Sequence, residues 1–96
     1  MPSAYIIANV IVNDLVAYEE YKRLSSIAMH AHGAEVCIRG GKVEVLEGDW
    51  TPSRVVVLKF KDTTQAKAMY TSAEYSAAIK ARKDIAVMSM VLVEGV

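Results

Sequence analysis

The sequence predicts an α+β fold in which strands and helices alternate, and three observations carry that prediction. Apolar, β-branched runs of strand length lie at both ends of the chain and near its middle. Two stretches between them repeat apolar residues at three- and four-residue steps, and Gly, Pro, Asn and Asp punctuate the joins. At 96 residues there is room for one hydrophobic core, so residues 1–96 are read as a single domain.

Residues 4–12 are almost continuously apolar and read as a strand buried on both faces. Asn13-Asp14 ends it and offers a side-chain oxygen to cap the helix that follows. Residues 15–32 have helical spacing, with Leu15, Tyr18, Tyr21, Leu24, Ala28 and Ala31 on one side and Glu19, Glu20, Lys22 and Arg23 away from it. Gly33 stands at the position of a left-handed C-cap. A second strand starts near Ala34 and carries residues 35–39. Gly40-Gly41 then interrupts it as a bulge, the extended pattern resuming in Val43, Val45 and Leu46, with a hairpin at the glycines as the alternative. Residues 48–53 have the Gly, Asp, Pro and Ser of a turn. The third strand is 54–60. Asp62 and Gln65 open the next helix in capping-box fashion, with Ala66, Met69, Tyr70 and Ala73 on one face. Ser72 is placed to cap a second, reoriented segment over 74–82, and residues 86–93 form the last strand.

The order β-α-β-β-α-β, with right-handed crossovers, gives a ferredoxin-like four-stranded antiparallel sheet with two helices on one face. Such a sheet should alternate apolar and polar residues, and this one does not. The first strand sets Ile6, Ala8, Val10 and Val12 against Tyr5, Ile7 and Ile11; the third and fourth strands are apolar on both sides as well. With 53% hydrophobic residues in a small chain, the second face needs a cover, and a second copy packed about a two-fold axis predicts an obligate homodimer.

Eleven basic and eleven acidic residues balance to zero, with no basic cluster, which argues against nucleic acid or an anionic membrane as partner. Residues 1–3 lack a basic region followed by an apolar run, and the apolar stretch at 86–93 is too short to span a bilayer. A lone cysteine, Cys37, forms no internal disulfide and reads as a small buried hydrophobe. The expected location is cytoplasmic.

The spacing of several fragments resembles a known family. Leu46-Glu47-Gly48-Asp49-Trp50, Pro52, the arginine-led strand from Arg54 to Phe60, Tyr70-Thr71-Ser72-Ala73-Glu74-Tyr75, Arg82 and Val93-Glu94-Gly95 together resemble domain of unknown function 1330. The resemblance implies a dimeric α+β barrel, from a superfamily of small cofactor-independent monooxygenases, isomerases and stress-response proteins. Two positions depart from the family pattern: His32-Gly33-Ala34 replaces an aromatic residue with paired glycines, and Ala73 replaces a proline.

Candidate site residues follow from side-chain chemistry. Glu47 and Arg54 flank the turn, where a hairpin would bring them together either as a structural ion pair or as an anion anchor. Trp50 is a lid or an interface plug. Tyr18, Tyr21, Tyr70 and Tyr75 supply helix hydroxyls for a small polar substrate, or else serve as core rings. Arg39 and Arg82 add positive charge, and Arg82 alternatively caps a helix C-terminus. His32 is a solvent-facing capping cation or a general acid/base. His30 and His32 point to different helix faces, and there is no metal-binding motif, so neither metal nor cofactor is expected. Two functions stay open. One is a small-molecule pocket, as a cofactor-independent enzyme on a small carboxylate or carbonyl compound. The other is a non-catalytic binding or stress-related scaffold.

Overall fold

Strand β1 (Ala4–Val12) lies inside a four-stranded antiparallel sheet of order β2-β3-β1-β4. The computed structural model describes residues 2–96; residue 1 lies outside the described residues. After β1 come α1 (Leu15–Ala31), β2 (Glu35–Arg39), β3 (Val55–Phe60), α2 (Thr63–Tyr70), α3 (Ala73–Ala81) and β4 (Ala86–Glu94). This is the ferredoxin-like topology that the element order predicts, as an open sheet with β2 and β4 at its edges.

The helix boundaries are set by short polar side chains. Asp14 accepts the Val16 and Ala17 amides at 3.1 and 3.0 Å, which starts α1. Its end is Gly33 at φ +69°, left-handed as expected, with the Ala34 amide bonded to the Met29 carbonyl at 3.0 Å. Asp62 accepts from the Gln65 amide at 2.8 Å. Gln65 in turn accepts from the Lys61 amide, one residue earlier than the capping box requires. Ser72 accepts the Tyr75 amide at 3.1 Å and restarts the chain as α3, so Ala73 opens that helix and is exposed rather than sharing the inner face of α2.

Pairing Ile6 with Leu58 and Leu92 puts alternate residues of three strands on the helix-covered face. Ile6, Ala8, Val10, Leu58 and Phe60 pack there against Tyr18, Tyr21, Ala28, Met29, Met69, Tyr75 and Ala78. The opposite face carries Ile7, Ile11, Val57, Val87, Val91 and Val93 by the same register. The first strand is therefore buried on one face only within the chain. Val87 and Val91 are each 57% exposed on the other.

The middle of the chain departs from expectation. The break in β2 is a register shift between Val36 and Ile38, at Cys37, so the strand slips before the glycines rather than at them. Cys37 is exposed, not a buried hydrophobe. Gly40 closes the stem, its amide bonded to the Val55 carbonyl at 2.9 Å. Val43, Val45 and Leu46 join no sheet, because residues 41–54 leave the stem as an arm with no strand partner among the described residues.

Candidate functional site

The inward faces of α1 and α3 meet over the sheet, and the tyrosine spacing decides what they bring there. Tyr18 and Tyr21, three residues apart on α1, stack with ring centroids 5.2 Å apart. Tyr75, in the first turn of α3, meets the Tyr21 ring edge-on at 6.3 Å, and the two hydroxyls are 2.7 Å apart. Arg82, the C-cap of α3, folds back along its own helix. Its Nη1 donates to the Tyr75 hydroxyl at 3.2 Å and reaches the Met88 sulfur at 2.6 Å. The guanidinium carbon lies 5.7 Å from the Tyr21 centroid and 5.9 Å from that of Tyr75, within cation–π range.

Tyr18, Tyr21 and Tyr75 border a cavity of about 30 Å³ between helices and sheet, lined also by Val10, Val56, Met88 and Met90, while Arg82 lies behind the Tyr75 hydroxyl and outside the lining. That volume is space for about two waters. A separate open groove of about 330 Å³ shares Ile6 and Met90 with the cavity; Ala66, Lys67, Tyr70 and Thr71 form the groove's helical side. Tyr70 is therefore a wall of the groove and not of the inner cavity, half-exposed, with its ring 5.6 Å from that of Tyr75.

Burial pushes all three inner phenols above their ordinary range, since the phenolate would lose its hydration. For Tyr21 burial acts first, the Tyr75 hydroxyl adds to the shift, and Arg82 opposes it. For Tyr18 burial is followed by Tyr21, with Arg54 and Arg82 opposing; for Tyr75 burial raises, while Tyr21 and Arg82 lower. All three are neutral hydrogen-bonding hydroxyls near pH 7.

The other sequence candidates divide. Arg54 belongs to this region, but not through Glu47. Its guanidinium lies over Gly40 and acts on Tyr18. Glu47 is exposed on the arm, and no ion pair links the two among the described residues. The hairpin pair fails because Arg54 sits at the root of the arm and turns inward. Trp50 is 66% exposed, neither plug nor lid within the chain, in a shallow groove shared with Val43, Leu46, Pro52 and Val55. Arg39 donates to Ser26 on α1 at 2.9 Å and does not line the cavity. His32 is not solvent-facing. It caps α1 and bonds Glu74 at 2.8 Å, tying the end of α1 to the start of α3. Met88 and Met90 escaped notice as site residues, since a methionine stripe in a strand reads as core. The signal was their position opposite inward tyrosines.

Against this geometry the likenesses take on meaning. Residues 3–96 match the family described as "Domain of unknown function (DUF1330)". The chain belongs to that family. No curated protein matches it. Among solved structures, this DUF1330 chain is similar to RPA0582 of Rhodopseudomonas palustris, a protein of unknown function (18% identity, 99% of this chain and 83% of that one, TM-score 0.78). It is also similar to SnoaB of Streptomyces nogalater, a cofactor-independent oxygenase (10% identity, 97% and 92% covered, TM-score 0.66). A third is a dimeric ferredoxin-like protein of unknown function from Bacteroides fragilis (17% identity, 96% and 95% covered, TM-score 0.65). At these identities the likeness concerns the fold. Among the described residues no helix is long and apolar enough to cross a membrane, and no three His, Cys, Asp or Glu side chains gather as metal ligands would.

Proposed function

We propose that this DUF1330 protein is a homodimer with a small-molecule pocket at the tyrosine cluster, acting as a cofactor-independent enzyme on a small carboxylate or carbonyl compound. The observation that carries the reading is the Tyr21–Tyr75 hydroxyl pair, with Arg82 donating into it, at the edge of a cavity that shares Ile6 and Met90 with a neighbouring open groove. A ligand oxygen in the cavity would meet the Tyr75 hydroxyl as donor, polarised by the Arg82 guanidinium that donates to it from behind. A donor so placed favours charge developing on a carbonyl oxygen, as in enolisation. SnoaB, a cofactor-independent oxygenase of similar fold, supports the same scaffold for such chemistry.

A specific observation favours a second reading, non-catalytic binding. His32 and Glu47, the acid/base candidates, do not line the cavity, and the inner phenols are held above the range useful for proton transfer near pH 7. One feature supports the dimer, the apolar open face of the sheet. Native mass spectrometry tests pocket and dimer together. A two-subunit ion with a discrete added mass, lost in Tyr75→Phe, supports the reading. A monomer would sink the dimer, and an added mass unchanged in both Tyr75→Phe and Arg82→Gln would remove the cluster from the site.

A further inference from the structure

Each chain carries one strand-like segment without a partner and one sheet edge without protection. Resting on the homodimer reading above, we infer that residues 42–47 of one copy add as a fifth strand along the free edge of β4 in the second copy. The reciprocal pair closes the dimer.

The segment has the pattern of a strand. Val43 and Val45 alternate with Lys42 and Glu44, and the Lys42–Glu44 contact at 3.9 Å sets the two charges on one side, as extended backbone does. Its length is that of an ordinary strand. Among the described residues, the backbone of residues 41–53 makes no hydrogen bond to the rest of the chain. Residues 41–50 are all exposed, Leu46 at 95%.

The two edges of the sheet differ. β2 is blunted: it carries Glu35 and Arg39 and slips register at Cys37, devices that discourage a further strand. β4 has neither device. Its nine residues pair with β1 without a slip, and residues 86–93 contain no charge and no proline. A long, regular, apolar edge is a template for strand addition, in which main-chain bonds hold the incoming segment and alternate side chains set its register.

Two observations name a second copy as the occupant. The groove formed by the arm includes Val55, and the pairing of Asn9 with Val55 and of Ile7 with Val57 sets Val55 on the open apolar face. Arm and face are one continuous apolar surface, so the copy that covers the face lies against the arm. The second observation is the count of parts: each copy gives one arm and one edge, and a two-fold axis satisfies both at once. Exchange also completes the open groove beside α2. Met90, Val91 and Leu92 of β4 line that groove, and a fifth strand on the edge extends its floor with residues of the second copy.

The test is a nuclear Overhauser experiment on dimers assembled from isotope-labelled and unlabelled chains, filtered for contacts between copies. Contacts are expected from the Val43 and Val45 methyls to residues 86–93 of the other chain. Contacts from the arm to β2 of the other copy, or none from the arm in a dimer, would overturn the inference and leave the dimer standing. A chain that sediments as a monomer at millimolar concentration fails the dimer reading itself and takes the arm with it. Val45→Pro removes one amide from the added strand, where no bond within the chain depends on it. It is expected to weaken dimerisation at least about tenfold with the circular dichroism retained. Val45→Ile keeps the amide and should dimerise as the unmodified protein does. Undiminished dimerisation by Val45→Pro would also overturn the pairing.

Discussion

Tyr21 shows how one side chain links packing to chemistry. Its ring stacks on Tyr18 and receives the edge of Tyr75, while its hydroxyl completes a buried pair that Arg82 joins. Tyr21→Phe keeps the rings and removes one hydrogen bond, so urea unfolding should lose about 1 kcal/mol. The same residue governs alkaline stability. The folded phenol titrates above its unfolded value, so its contribution is complete below about pH 10 and is lost as pH rises beyond. Stability measured from pH 8 to 11.5 should fall steeply at the upper end, and Tyr21→Phe should flatten the slope; an unchanged slope would take Tyr21 out of the titration. Gly40 is the second decisive residue, needed for φ +71° and for the space that Arg54 fills. Gly40→Ala should cost about 1–3 kcal/mol and displace the Arg54 resonance, and a silent substitution would refute the contact.

At the scale of elements, the break at Ser72 aims α3 so that Tyr75 lines the cavity and Arg82 reaches its hydroxyl. Its hydroxyl both donates to the Met69 carbonyl and accepts from the Tyr75 amide. Ser72→Ala is expected to cost about 1 kcal/mol and to raise amide exchange over 73–76 more than over α1, measured by hydrogen exchange. The caps at Asp14, Gly33, Asp62 and Ser72 were all legible in the sequence, because capping depends on side chains within three or four residues. The arm was not. Val43, Val45 and Leu46 have strand composition, but a strand needs a partner, and the stem closes at Gly40 before they can find one within the chain. The Glu47–Arg54 pair failed with it, since the pairing assumed a hairpin that the arm does not form.

For the molecule as a whole, the open face of the sheet is an apolar surface with no cover among the described residues, with Ile7 between Val57 and Val91. Such an apolar face fits burial against a second copy better than exposure to water. Ile7→Asp should convert a dimer to a folded monomer, read by light scattering with the circular dichroism retained. A native-size dimer after that change would place the interface elsewhere.

The sequence by itself determined the order of elements, the helix caps, the two apolar sheet faces and the family, because each rests on periodicity or on residues close along the chain. Only the tertiary structure decided which side chains share a space. Tyr21 and Tyr75 are 54 positions apart, Arg54 packs on Gly40 rather than pairing with Glu47, and His32 is spent on Glu74. Those choices depend on how α1, α3 and the root of the arm are set over the sheet. Long-range packing fixes that geometry, and local pattern does not encode it.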